Sequence, residues 1–151
     1  SCGAGANYGT ALESALKMGE TIHIPSCCYE IEEYIHGPNV QLTPQYNVIL
    51  FDGNDGASRR VEQVYKATRK VTNRAYLISN NPQLSRDGHV LSLSDTVSSE
   101  LSPLVYLPFV QLLSFIVSND LHSIYQHPLL KEFKAIAAAK TENFVNYDGD
   151  D

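Results

Sequence analysis

The sequence predicts an α/β fold: a three-layer αβα arrangement in which a mostly parallel sheet carries helices on both faces. Three observations lead there. "YNVILF" (46–51) and "RAYLIS" (74–79) are near-continuous apolar runs, the pattern of parallel strands buried on both sides. "ASRRVEQVYKATRKV" (57–71), between them, repeats its apolar residues at helical spacing. Strand–helix–strand order of this kind builds a parallel sheet, because a parallel pair needs a crossover long enough to hold a helix.

The elements follow in order. Residues 1–8 read as a Gly-rich loop leaving a strand that lies outside the sequence, so the chain is expected to be part of a longer polypeptide. "GTALESALKMGE" (9–20) is helical, with Leu12, Ala15 and Leu16 near one face and Thr10 placed to cap it. "TIHIP" (21–25) is β-branched and reads as a short strand. "CYEIEEYIHGP" (28–38) reads as a helix stopped by Gly37 and Pro38. After "YNVILF", "DGNDG" is a turn. "HVLSL" (89–93) is a shorter strand, 101–118 an apolar helix expected to be buried, and 127–140 a last helix. One domain over 1–140 is expected, followed by an acidic tail over 141–151.

Composition narrows the function. A chain of 151 residues can bury a real core, and 43% hydrophobic with 19% charged residues is ordinary for a soluble globular domain. A formal net charge of −6 argues against non-specific nucleic-acid or anionic-membrane binding. It leaves room for a small anionic substrate at a locally positive site. The longest apolar run, "LVYLPFVQLLSFIV" (104–117), is short for a bilayer span and carries Pro108, Gln111 and Ser114. Cys2, Cys27 and Cys28 are odd in number and include an adjacent pair, a poor disulfide framework; reduced thiols in a cytoplasmic protein are expected. No CxxC pair or HExxH suggests a metal site.

Three features could carry chemistry. "GAGANYG" lets backbone N–H groups approach an anion, yet it lacks GxGxxG and the GK[ST] of a P-loop, so it also reads as a plain tight turn. Glu13, Lys17 and Glu20 are spaced by four and then three, placing all three on one helical face. They form either a solvated ladder or a site beside the glycine loop, where such sheets keep their ligand crevice. A lysine between two carboxylates keeps Glu20 ionised and able to act as a base. His36, at a helix end before Gly37 and Pro38, is either a cap favoured by the helix dipole or a titrating group held for chemistry. His23, His89, His122 and His127 have no partner pattern, and no GxSxG elbow supports a Ser-His-Asp triad.

Two of these features, "ALESALKMGE" and "EEYIHGP", resemble the sugar-isomerase (SIS) domain family, in particular the second such domain of glucosamine-6-phosphate synthase and of fructosamine-6-phosphate deglycases. That family reads ALEGALKLKE, then an acidic helix ending ELKHGP. Here Ala11-Leu12-Glu13, Ala15-Leu16-Lys17, Glu20 and His36-Gly37-Pro38 fall in step without a gap, and the following strands and helices stay in register. The resemblance implies a doubly wound domain of flavodoxin-like topology and a phosphosugar substrate. It implies that Glu20 moves a proton between C1 and C2 of a ketose phosphate derivative. Lys17 would sit beside the substrate, and His36 would open the sugar ring in a neighbouring subunit, so a homodimer or larger homo-oligomer is implied. Gly5, Asn7, Glu13 and Lys134 are assigned to substrate binding, and no metal or organic cofactor is required by the chemistry.

Departures from the pattern shape the reading. Gly19 stands where the family has a lysine, and neither Lys131 nor Lys134 falls at the offset of the synthase's tail lysine. The SxSGxT phosphate loop of the first SIS domain is missing, which points to a half-enzyme. These differences favour a ketosamine 6-phosphate deglycase or isomerase over the isomerase domain of a glutamine–fructose-6-phosphate aminotransferase, and the joint presence of Glu20, Lys17 and His36 favours an enzyme over a non-catalytic sugar-phosphate sensor.

Overall fold

The computed structural model describes residues 1–84, 87–93, 97–123 and 130–137. Five strands form one parallel sheet: β1 (Cys2–Gly3), β2 (Tyr29–Glu30), β3 (Val48–Asp52), β4 (Ala75–Ser79) and β5 (Val90–Ser92), in the spatial order β2-β1-β3-β4-β5. This is the flavodoxin-like winding the sequence implied. The register is continuous across the sheet, Cys2 pairing with both Tyr29 and Leu50, Leu50 with Leu77, and Leu77 with Val90. Around it lie α1 (Asn7–Ile22), α2 (Ile31–Ile35), α3 (Ser58–Thr68), α4 (Ser102–Asp120) and α5 (Leu130–Ile136).

Strand alternation splits the core in two. Val48, Leu50, Ala75 and Leu77 face Ile31 and Tyr34 of α2 and Val61, Val64 and Tyr65 of α3. Phe51 and Ile78 face Ala11 of α1 and Tyr106 and Val110 of α4. Leu50 and Leu77 are fully buried, each contributing about 1.5–3 kcal/mol by leaving water. The helices therefore form two layers, α1 with α4 and α2 with α3, on opposite sides of the sheet.

Three expectations are corrected. Cys2–Gly3 is a strand, where a loop was expected, and sits inside the sheet between β2 and β3. Gly3 is required there, because a Cβ would run into the Asn7 carbonyl of the first helical turn. "TIHIP" is not a strand. Helix α1 continues through Thr21, whose hydroxyl donates back to the Lys17 carbonyl at 2.8 Å, and stops at His23 in the left-handed conformation (φ 61°). The edge strand is Tyr29–Glu30 instead, inside the span expected to be helical, with Tyr29 N–H bonded to the Ser1 carbonyl at 3.0 Å.

The apolar faces also differ from expectation. Thr10 does not cap α1; it is buried within it, its hydroxyl donating to Asn7 Oδ1 at 3.1 Å. The buried side of α1 is small and partly polar (Asn7, Thr10, Ala11, Ser14, Ala15), while Leu12 and Leu16 point outward. Helix α4 is longer than its apolar run and, among the described residues, is the one helix long and apolar enough to cross a membrane. It is not a buried helix either: Tyr106, Val110 and Ser114 face inward, but Leu104 is 70% and Phe115 63% exposed. Of the predicted last helix, 130–136 is observed. Residues 127–129 and 138–140 of that span and the acidic tail lie outside the described residues.

Candidate active site

In a sheet wound 2-1-3-4-5 the crevice opens between β1 and β3, where successive connections leave in opposite directions. Here it is a cleft of about 380 Å³ lined by Gly5, Ala6, Asp55, Gly56, Ala57, Ser99 and Glu100. Gly5 adopts φ 53°, a left-handed backbone that glycine takes without strain and that turns β1 into α1.

A buried polar network lies at the carboxyl end of β3. The Asp52 carboxylate accepts from Ser79 Oγ at 2.7 Å, from Ser58 Oγ and from Asn54 N–H at 2.9 Å. The Asp52 carbonyl accepts the Tyr106 hydroxyl at 2.7 Å, and burial pushes that phenol up to about 12. Asn7 is buried beside it. Its Nδ2 donates to Ser102 Oγ at 2.8 Å and its Oδ1 accepts from Thr10, so its amide ties α1 to α4 from inside the protein.

The charge of this cleft is negative. Asp55 Oδ1 accepts the Ala57 amide at 2.8 Å, and Glu100 is held below the usual carboxylate range by its own backbone amide and the Ser98 and Ser99 hydroxyls. Among the described residues its lining carries two carboxylates and no cation, which disfavours a phosphate. Asp52, Asp55 and Glu100 escaped sequence analysis. The one signal for the two aspartates was "DGNDG" at the carboxyl end of a buried strand, and Glu100 had none.

The ladder on α1 forms as its spacing predicts. Lys17 Nζ lies 2.8 Å from Glu20 Oε2 and 3.6 Å from Glu13 Oε1. Lys17 is pushed up, first by its hydrogen bond to Glu20 and, with Glu13's charge adding to it, stays an ammonium. The ladder is not beside the crevice, however. Asn7 to Glu20 covers thirteen residues of helix, which at 1.5 Å per residue is roughly 20 Å. Glu20 stands near the far end of α1, exposed to solvent.

His36 belongs to the other layer, at the C-terminal end of α2. That helix has only five residues and depends on a capping box: Glu30 Oε2 accepts from Glu32 N–H at 2.6 Å and Glu33 N–H at 3.4 Å, and Glu33 reaches back to Glu30 N–H. The His36 ring bonds through Nδ1 to the Glu32 carbonyl at 2.7 Å. A carbonyl only accepts, so the proton sits on Nδ1 and the basic Nε2 is left for other work. Glu32 in turn takes Arg60 in a fork, 2.7 and 3.2 Å, which holds its carboxyl below the usual range. The cap expected for His36 is thus real, and it orients the imidazole.

Glu20 and Lys17 come together; His36 joins them through no hydrogen bond or ion pair among the described residues. Lys134 lies on α5, with its side chain outside the described residues. A larger groove of about 450 Å³ between α2 and α3, lined by Tyr34, Leu42, Arg60 and Thr68 among others, contains none of the predicted site residues. Among the described residues no cluster of three His, Cys, Asp or Glu side chains could hold a metal ion.

A flavodoxin-like parallel domain with an acid–cation–acid ladder on its first helix and a capped histidine on its second is the class defined so far. Comparison places it further. No protein-family model matches the chain. It is 31% identical over 122 residues to a glutamine–fructose-6-phosphate aminotransferase (isomerizing) of Methanothermobacter thermautotrophicus, covering 78% of this chain and 20% of that protein. Among solved structures, a candidate phosphosugar isomerase of Clostridium difficile shares the fold at a TM-score of 0.76 and 22% identity, over 92% of this chain and 39% of that one. The C-terminal domain of a glucosamine–fructose-6-phosphate aminotransferase from Francisella tularensis does so at 0.67 and 23%, over 78% and 34%. The chain belongs to the sugar-isomerase (SIS) domain family. It spans about a fifth of the length of the curated relatives it matches.

Proposed function

We propose that this domain supplies the acid–base half of a phosphosugar isomerase acting on a ketosamine 6-phosphate, as in a deglycase. The carboxylate of Glu20 takes a proton from C1 of the open-chain ketosamine as the C2 oxygen takes one from water, giving an enolamine; the proton returns at C2 as the nitrogen releases its own to solvent, and water hydrolyses the resulting C1 imine to an aldose phosphate and the free amine. Lys17, paired with Glu20 at 2.8 Å, stabilises the negative charge that develops on the substrate oxygen. His36, with Nδ1–H fixed on a carbonyl and Nε2 basic, shuttles the ring-opening proton in a neighbouring subunit's site. Lys134 would approach the substrate from the last helix.

The observation that carries this reading is the ladder itself, which holds Lys17 between two carboxylates on a solvent-facing helix with the SIS spacing to His36. The acidity of the cleft supports a division in which the phosphate is held by another domain. It counts against the sensor reading, which needs a phosphate cradle on this chain.

The test is turnover of fructosamine 6-phosphates by the wild-type protein and its Glu20→Gln variant. General acid–base loss should lower kcat by about 10²–10⁴ with little change in KM. Equal binding by both proteins and turnover by neither would refute the catalytic reading. A second reading, the isomerase domain of a glutamine–fructose-6-phosphate aminotransferase, is favoured by the Methanothermobacter relative. Formation of glucosamine 6-phosphate from fructose 6-phosphate and an ammonia donor would select it.

A further inference from the structure

The groove between α2 and α3 is lined by a buried hydroxyl with an unmet hydrogen bond. Tyr34 is 7% exposed, and its Oη has no hydrogen-bond partner among the described residues. Thr68, buried on α3, stands beside it without the geometry of a bond. The ring is packed against Tyr29, with 6.2 Å between centroids, and against the strand core, which holds the hydroxyl in place. Buried polar groups are almost always paired, so an orphan in the lining of a cavity calls for a partner from outside.

We infer that this groove binds an uncharged, mostly apolar small molecule whose carbonyl oxygen accepts a hydrogen bond from Tyr34 Oη. Its volume of about 450 Å³ is that of a small-molecule site. Ile35, Leu42, Val64 and Val71 give it apolar walls. Arg60 is the only charged residue of the lining, and Glu32 already neutralises it through the two-bond fork. An ion entering would lose its water and find no free counter-charge, whereas a ketone, ester or amide loses far less. Burial pushes the Tyr34 phenol up, so it keeps its proton and has one to donate.

Tyr34 and Ile35 stand where the family pattern ending ELKHGP has leucine and lysine. The hydroxyl and the apolar wall beside it are therefore this chain's own. The site rests on the packing of α2 against α3 and not on the chemistry assigned to Glu20.

The experiment is a nuclear magnetic resonance titration of the nitrogen-15-labelled 151-residue chain with acetophenone and with benzoate, which share a ring and differ in charge. Acetophenone should move the amide signals of residues 34–42 and 60–71 and saturate in the millimolar range expected of so small a ligand. Benzoate should bind more weakly by roughly tenfold or more. Tyr34→Phe keeps the ring and should weaken acetophenone about fivefold, the loss of one neutral hydrogen bond. Ala67→Phe fills the groove from an exposed position of α3 and should abolish saturable binding, with unchanged far-ultraviolet circular dichroism showing that the fold persists. The inference is overturned if acetophenone leaves the groove's signals in place, or if benzoate binds as tightly. It is also overturned if Tyr34→Phe binds acetophenone as well as the wild type, since water alone would then serve the hydroxyl. Each readout is binding, so none depends on turnover.

Discussion

Glu20 and His36 lie in different layers of one domain: Glu20 on α1, which packs on Phe51 and Ile78, and His36 closing α2, which packs on Leu50 and Leu77. The sheet separates the two layers. The proposed reaction is expected to draw the two side chains from different copies.

That separation predicts subunit complementation. Glu20→Gln and His36→Ala should each be inactive alone. Mixed, dissociated and reassociated in equal amounts, they should recover about a quarter of wild-type turnover, since random pairing makes half the pairs mixed and gives each one intact site. No recovery, with mixed assemblies shown to form, would mean that both residues act within one chain.

Asp52→Ala should destabilise the fold by about 3 kcal/mol. It removes the acceptor of two hydroxyls and one amide at the carboxyl end of β3 and leaves the Ser79 hydroxyl without that bond inside the protein. Urea unfolding monitored by tyrosine fluorescence reads the effect. A change below about 0.5 kcal/mol would show the network to be inert.

Gly3→Ala should be more damaging than its single methyl suggests, costing about 3 kcal/mol or more, because the clash is with the rigid Asn7 carbonyl and not with a flexible side chain. Gly56→Ala, at a position open to solvent, is the control and should change the urea midpoint little.

Cys2 gives a pH dependence. Burial pushes its thiol from 9.0 up to about 11, so the folded protein holds this proton more tightly than the unfolded chain does. The contribution is fully present below about pH 9 and is lost as pH rises toward 11, an amount of about 2–3 kcal/mol over that window. Comparing Tm for wild type and Cys2→Ala between pH 8 and 11 isolates it, because other groups titrate in both proteins. The wild-type curve should fall more steeply; parallel curves would disprove the assignment.

How much of this could be read beforehand depended on how far each signal extends along the chain. Strands β3 and β4 and helix α3 were legible because five or more residues repeat a period that burial on both sides or on one side demands. Strands β1 and β2 were not, since two residues contain no period and owe their place to pairing across the sheet. The Glu13–Lys17–Glu20 ladder was legible because helical neighbours are fixed by spacing. Its distance from the crevice was not, because α1 ran two residues past Glu20 where a strand was expected. The outward turn of Leu12 and Leu16 was missed for another reason: periodicity reports an apolar face without saying what lies against it. The acidic cleft joins Asp55 and Glu100, 45 positions apart in the chain, through loops that no local pattern connects.

Helix α1 acts as a ruler as well as a scaffold. Its first turn is fastened inside the protein by Asn7, and its last holds Glu20 at a fixed height and angle, with no glycine-tolerant loop between them to absorb a change in length. One residue inserted after Glu13 would advance Lys17 and Glu20 by 1.5 Å and rotate them by about 100°, swinging them off the face that Glu13 occupies. For the chemistry proposed for Glu20, the number of residues between the buried amide and the carboxylate matters as much as their identities.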